Sequence, residues 1–179
     1  MVSSARVLVW SETDTPVGPI TLAMTGKGLC RLDYMDGEHA ALFLERWAKE
    51  RLGSVRLERN DLELRPAVQQ LKEYFDHTRK QFDLPVDLYG TAFQRLVWQQ
   101  LQMIPYGEVR SYKDVAQAMG APKAVRAVGG ANNRNPLSII IPCHRVVGSN
   151  GSLVGYGGGL KIKEYLLGLE GSLPRQARA

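Results

Sequence analysis

Two helix-start signals, each followed by a forced stop, partition the second half of this 179-residue chain more tightly than any other feature. Thr91 with Gln94, and Ser111 with Asp114, put a hydroxyl residue three positions before a side chain that can reach back to its backbone. The first predicted helix carries Leu96, Val97, Leu101 and Met103 and ends at Pro105, with Tyr106-Gly107-Glu108 as a turn. The second turns Val115, Ala116 and Met119 inward and is stopped by Gly120-Ala121-Pro122. A third, over residues 123–131, follows at once. It sends Ala124, Val125, Val128 and Ala131 to the core and leaves Lys123 and Arg126 outside. Helix, tight glycine-containing turn, helix is the helix-turn-helix pattern, although many helix pairs share it without binding DNA. Gly129 and Gly130 cost that last helix roughly 1 kcal/mol each relative to alanine. Close backbone approach, by DNA or another element, and tight helix packing both account for them.

Beyond these helices runs IIIPCHRVVG, residues 139–148. The isoleucines read as a short buried strand, and Pro142, which has no amide to donate, ends it. Cys143 is thus expected where the sheet stops and the chain turns, a common location for chemistry. A buried structural cysteine is the plain alternative. Upstream, Asn132-Asn133-Arg134-Asn135-Pro136 is a polar loop, and Pro136 drives Asn135 toward extended geometry, where its amide can brace the cysteine turn. Downstream, Gly155-Tyr156-Gly157-Gly158-Gly159 lacks the Lys-Ser/Thr of a phosphate loop, so its bare amides suit a flat ligand better than a nucleotide phosphate. The last helix, over residues 161–169, is expected to bury Ile162, Tyr165, Leu166 and Leu169. Glu170 lies at its end, before Gly171.

Charge points the same way. Residues 91–171 hold nine Lys and Arg against four acids, which is the whole +5 of the chain. Such a local excess favours a polyanion such as nucleic acid, or is simply a solvated basic surface. The remainder of the chain carries fourteen charges of each sign, and its first 90 residues read as a small α/β unit. Strands are expected at 7–10, 20–24 and 29–34, helices at 38–52 and 66–75, and an edge-like alternating segment at 82–88. Helix 38–52 places its apolar residues at 41, 42, 44, 48 and 52. His39 and His77 are expected at the surface. With three histidines, no CxxC and no HxxxH, a metal site is not expected. Residues 1–10 show no basic-then-apolar leader, and Cys30 and Cys143 are too few for a disulfide framework, so a cytoplasmic protein away from membranes is expected.

Taken together, PCHRV at 142–146, Asn135-Pro136, KAVRAVGGA at 123–131 and GYGGG at 155–159 resemble the 6-O-alkylguanine-DNA alkyltransferases, over about residues 91–171. The resemblance implies that Cys143 is the acceptor thiol, that His144 acts on it through a water, and that Glu170 orients His144. It implies that Asn135 braces the turn, that Arg126 enters the duplex in place of the extruded nucleotide, and that Lys123 and Ala124 also contact DNA. Tyr112 would turn the nucleotide out, Val146 and Gly157 would offer backbone groups to the base, and Tyr156 would wall the pocket. No cofactor is implied. The implied partner is double-stranded DNA carrying alkylated guanine, or alkylated thymine, bound by a protein monomeric in solution that can assemble cooperatively on DNA. The fold class expected is α+β: an N-terminal α/β domain over 1–85, a mainly helical domain with the helix-turn-helix over 91–171, and a tail over 172–179.

Chemistry gives this reading physical content. A 6-oxygen substituent is hidden inside a duplex, so the nucleotide must be flipped out. Displacement at carbon needs a thiolate, and His144 with Glu170 are expected to lower the Cys143 pKa. A thioether product has no easy hydrolysis route, so the protein should act once. Two rivals come from other classes. A cysteine hydrolase would need His39 or His77 beside Cys143, and a non-enzymatic helix-turn-helix binder would use Cys143 only for packing.

Overall fold

The computed structural model describes residues 6–174, so residues 1–5 of the expected leader-free start and 175–179 of the expected tail lie outside the described residues. The chain divides into two compact units that meet between Tyr89 and Gly90. The first holds a four-stranded sheet of order β3-β2-β1-β4, with β1 Arg6–Thr15, β2 Gly18–Thr25, β3 Gly28–Asp33 and β4 Val55–Arg59. The first three strands form an antiparallel meander, and β4 returns parallel to β1. Helices α1, Gly37–Leu52, and α2, Arg65–Phe75, follow β3 and β4. Leu8, Ala23, Cys30, Ala40, Leu44 and Ala48 form a core between sheet and α1, whereas Leu42, expected inward, is 71% exposed.

Two expectations fail here for local reasons. Strand β4 was not anticipated, because VRLER offers only two apolar residues among charges. The alternation at 82–88 does not make a strand: only Val86 bridges, to Leu29. Pro85 has no N–H for a ladder, yet its carbonyl accepts from Leu29 N at 2.9 Å. That approach requires glycine at position 28, where φ is +147° and a Cβ would stand 2.5 Å from the Pro85 oxygen.

The second unit contains α3 Ala92–Gln102, β5 Arg110–Ser111, α4 Tyr112–Ala118, α5 Val125–Asn133, β6 Val146–Val147 and α6 Leu160–Leu169. Both capping boxes form: Thr91 and Gln94 cap α3 reciprocally, as do Ser111 and Asp114 for α4. The stop after α4 and the immediate restart as α5 complete the helix-turn-helix. Val97, Trp98, Leu101, Val115, Ala116, Val128 and Ala131 make the helical core. Trp98 Nε1 also donates to Ala131 O at 2.9 Å, tying α3 to the end of α5. Val125, expected inside, is 36% exposed. Gly129 and Gly130 lie within α5, and internal packing does not demand them: a Cβ at 129 would meet only the Tyr112 ring at 3.9 Å, and one at 130 nothing.

Candidate active site

Residues 137–147 do not form the expected strand and stop. The isoleucines fold into consecutive tight turns. Ile139 has φ +73°, and Ile140 N donates across it to Ser138 O at 2.9 Å, a left-handed γ-turn rarely seen with a β-branched residue. Pro142, at φ −80° and ψ 63°, centres a second γ-turn that brings Cys143 N to Ile141 O at 2.8 Å. Strain of about 1–3 kcal/mol at such a residue persists only where its surroundings hold it. Burial of Ile139 and Ile141 and the side chain of Asn135 do so here. Asn135 Nδ2 donates to Ile141 O at 2.8 Å, while its Oδ1 accepts from Leu137 N at 3.0 Å. Cys143 then opens a single 3-10 turn, Cys143–Arg145, that runs into β6. Strand β6 pairs parallel with β5, whose Ser111 caps α4. The thiol is therefore fixed, through two hydrogen-bonded residues, to the start of the helix-turn-helix.

The side chains around the turn form one buried polar network. His144 Nε2 lies 2.6 Å from Glu170 Oε2, and both side chains are fully buried. Arg145 donates to the same carboxylate through Nε at 2.8 Å and Nη2 at 3.2 Å, and through Nη1 to Ile104 O at 2.6 Å. Burial would raise the Glu170 carboxyl, but its hydrogen bonds and charge pairing with His144 and Arg145 outweigh that and hold it at about 2. Burial pushes His144 below its ordinary value despite Glu170. His144 Nδ1 is buried and has no partner among the described residues.

Lys163 is the surprise. It is fully buried, with Nζ donating to Val146 O at 2.5 Å and Val154 O at 2.9 Å, and 5.9 Å from the Tyr112 ring centre. Burial lowers it to about 8, with the nearby Cys143 acting in the opposite sense. Tyr112 donates to the same Val154 carbonyl at 2.8 Å, so two elements pin the segment leading into the glycine loop. The Cys143 thiol is 3% exposed. Burial drives its pKa up, against hydrogen bonds with Asn135 and Ser138 and the charge of Lys163. The expected lowering by His144 and Glu170 is not found in the resting protein: the Sγ contact is Ser138 Oγ at 4.0 Å, and His144 points to Glu170 instead.

Most of the anticipated residues converge. Cys143, His144, Glu170, Asn135, Tyr112 and Val146 meet in this network. Tyr156 is half-buried and Gly157 exposed in the loop before α6. Lys123 and Arg126 are exposed, and Ala124 is the half-buried residue preceding α5. These three lie on the helix-turn-helix and have no contact with the thiol. On α6 the buried stripe is Lys163, Leu166 and Leu167, and Tyr165, expected inward, is 42% exposed. Sequence reasoning missed Lys163, Arg145, Ser138 and Asn132, whose Nδ2 reaches Cys143 O at 3.5 Å. Lys163 could have been found by asking what shares a helix face with Glu170, because 163, 166, 167 and 170 follow the i, i+3, i+4, i+7 rule. Burial of Arg145 and Lys163 also trims the basic surface, leaving seven of the nine cations of residues 91–171 outside.

Comparison with known proteins covers both units. Residues 92–172 match the family described as the 6-O-methylguanine DNA methyltransferase DNA binding domain, and residues 8–88 match its ribonuclease-like domain. A methylated-DNA–protein-cysteine methyltransferase of Methanosarcina barkeri is 48% identical over 157 residues, covering 88% of this chain and 93% of its own. The constitutive one of Bacillus subtilis is 45% identical, covering 90% and 94%. Among solved structures, Mycobacterium tuberculosis OGT in complex with DNA superposes with a TM-score of 0.77 at 42% identity, covering 92% of this chain and 93% of that one.

Proposed function

Because the chain belongs to the 6-O-methylguanine DNA methyltransferase family, we propose Cys143 as the residue on which its reaction ends. The protein repairs DNA: it takes the alkyl group from 6-O-alkylguanine in duplex DNA onto its own cysteine, once and irreversibly, and restores guanine. The observation that carries the choice of Cys143 is the contrast between the two thiols. Cys30 is fully buried on strand β3 of the other unit, with its pKa pushed to about 12 by burial and the charge of Asp87. Cys143 sits in a braced turn and is followed in the chain by His144, whose Nδ1 has no partner among the described residues. Peptide mapping after exposure to methylated DNA tests the choice directly.

The proposed chemistry balances as follows. Sulfur bonds to the alkyl carbon, the carbon–oxygen bond breaks, and the electron pair leaves on guanine. The thiol proton passes through water to His144 Nδ1 and finally to the base. With the resting thiol raised by burial, ionisation is a cost, and acceleration must come from holding carbon in line with sulfur and from donors that stabilise the leaving guanine. Tyr112, Tyr156 and Gly157 border the glycine loop where a flipped base would lie, and Val146 offers a backbone carbonyl already held by Lys163. Asn135 braces the turn and Glu170 orients His144. Residues 91–171 make the DNA-binding and alkyl-acceptor domain in this reading, and 1–85 the N-terminal α/β domain. No helix among the described residues is long and apolar enough to cross a membrane, and a cytoplasmic location is part of the same proposal.

Arg126 is exposed on α5, and α5 begins at Ala124 without a side-chain cap, which leaves amides open for phosphate. Arg126→Ala will slow repair of duplex DNA at least tenfold more than reaction with free 6-O-methylguanine base, because only the duplex needs the wedge. Equal losses on both substrates would exclude a flipping role. DNA affinity will also fall with salt. Each neutralised phosphate contributes about −0.9 to the log–log slope, so seven exposed cations bound it near about −6. A flat salt titration would make the basic surface incidental.

A further inference from the structure

The Arg145 guanidinium is 6% exposed and spends its donors inside the protein, two on Glu170 and one on Ile104 O, with the Tyr106 ring 5.7 Å away. Its position fixes what His144 can be. The carboxylate of Glu170 only accepts hydrogen bonds, so the His144 nitrogen 2.6 Å from it must carry a proton, and that nitrogen is Nε2. Whether Nδ1 is protonated as well is a matter of charge balance. The charged groups facing His144 are Glu170, Arg145 and Lys163, with the Cys143 thiol next in sequence. Arg145 already neutralises Glu170. A second proton on the imidazole would put three cations around one carboxylate at a site shielded from bulk solvent, and buried charge without a partner is expensive.

We propose that Arg145 is a positioning residue: by neutralising Glu170 it holds His144 as the neutral Nε2–H tautomer and keeps Nδ1 bare as an acceptor for the proton of Cys143. The proposal rests on Cys143 being the acceptor only in its last clause. Without the Arg145 guanidinium the Glu170 carboxylate would draw a second proton onto His144, and the resting imidazole would be a cation with no lone pair to offer. The direction in which burial, Arg145 and Lys163 move His144 agrees with this.

Nitrogen-15 NMR of the histidine side chains tests it in the full-length chain. There are three histidines, so His144 is assigned by comparison with His39→Gln and His77→Gln. In the unsubstituted protein His144 will show the neutral Nε2–H pattern at pH 7. In Arg145→Gln it will show the imidazolium pattern at the same pH. Arg145→Lys, which keeps the charge, and the double variant Arg145→Gln/Glu170→Gln, which removes both charges, will each return it to neutral. An imidazolium or an Nδ1–H tautomer in the unsubstituted protein overturns the proposal. So does an unchanged His144 in Arg145→Gln or, should that variant not fold, an imidazolium in Arg145→Lys. Mass analysis of the same unsubstituted sample after methylated DNA separates the two readings: expected His144 signals with no methyl on Cys143 would refute the acceptor assignment alone.

Discussion

Cys143→Ser will bind methylated duplex DNA with undiminished affinity and transfer no methyl group. The hydroxyl is barely ionised at neutral pH, and the surroundings that make thiolate formation workable here, the Asn135 and Ser138 hydrogen bonds and Lys163, cannot make up that difference. The exposed DNA-facing candidates, Lys123 and Arg126, lie on the helix-turn-helix and are untouched by the substitution. In the unsubstituted chain, excess methylated DNA will add the mass of one methylene per molecule and then nothing more. No second thiol lies in the turn, and Cys30 is sealed in the other unit. The added methyl must share a space already closed around a 3% exposed sulfur, and overpacking of that kind costs about 1–3 kcal/mol. The methylated protein will therefore melt lower than the fresh one by calorimetry. More than one methyl per chain, or a methyl mapped to Cys30, would overturn the acceptor assignment.

The largest effect on stability will come from Glu170→Ala. That change strands the Arg145 guanidinium and the His144 Nε2–H in the core, and removing one partner of a buried pair costs about 3–5 kcal/mol. Glu170→Gln keeps the shape and part of the hydrogen bonding, so its loss will be smaller. Urea denaturation measures both. The pH dependence follows from the sign of the shift. Glu170 is held at about 2 when folded, below its ordinary 4.5, so the unfolded chain takes up the proton first as pH falls. The stability it contributes is complete above about 4.5 and is lost as pH drops toward about 2. His144, also lowered, works in the same direction at higher pH, below its ordinary 6.5. The gap between the unsubstituted protein and Glu170→Ala will narrow through that acid window. A gap of constant size from neutral pH to pH 2 would mean that the carboxylate charge carries none of the stability.

Some of this protein could be read directly from its sequence because the determining contacts are local. Thr91 with Gln94 and Ser111 with Asp114 close their hydrogen bonds three residues away, so the starts of α3 and α4 were legible, and Gly120 and Pro122 marked the break before α5. The PCHRV turn, with Asn135 six residues before the carbonyl it braces, was legible as a site for the same reason. The β-branched run 139–141 misled because its apolar pattern reports burial, which was correct, but not backbone path. The path is set by Asn135 capturing the Ile141 carbonyl, which leaves no ladder to form. Strand β4 exists only because β1, far back in the chain, accepts it as a neighbour. The thiol's raised pKa likewise reflects enclosure by separate elements, which no spacing along the chain reports.

Lys163 marks the boundary between the two kinds of information. Its spacing from Leu166, Leu167 and Glu170 puts it on the buried face of α6, but its residue type reads as an ordinary surface cation, and nothing local says what would satisfy its charge. It is buried because the carbonyls of Val146 and Val154, on segments 17 and 9 residues away, converge where α6 passes and together satisfy its ammonium group. Where the capped helices of the second unit start, and which residue types could do chemistry, followed from short-range hydrogen bonding and residue type. Which charges are buried, which carbonyls they satisfy, and so which proton each site holds, depended on how distant segments close around one another, because desolvation belongs to the assembled volume and not to any stretch of chain.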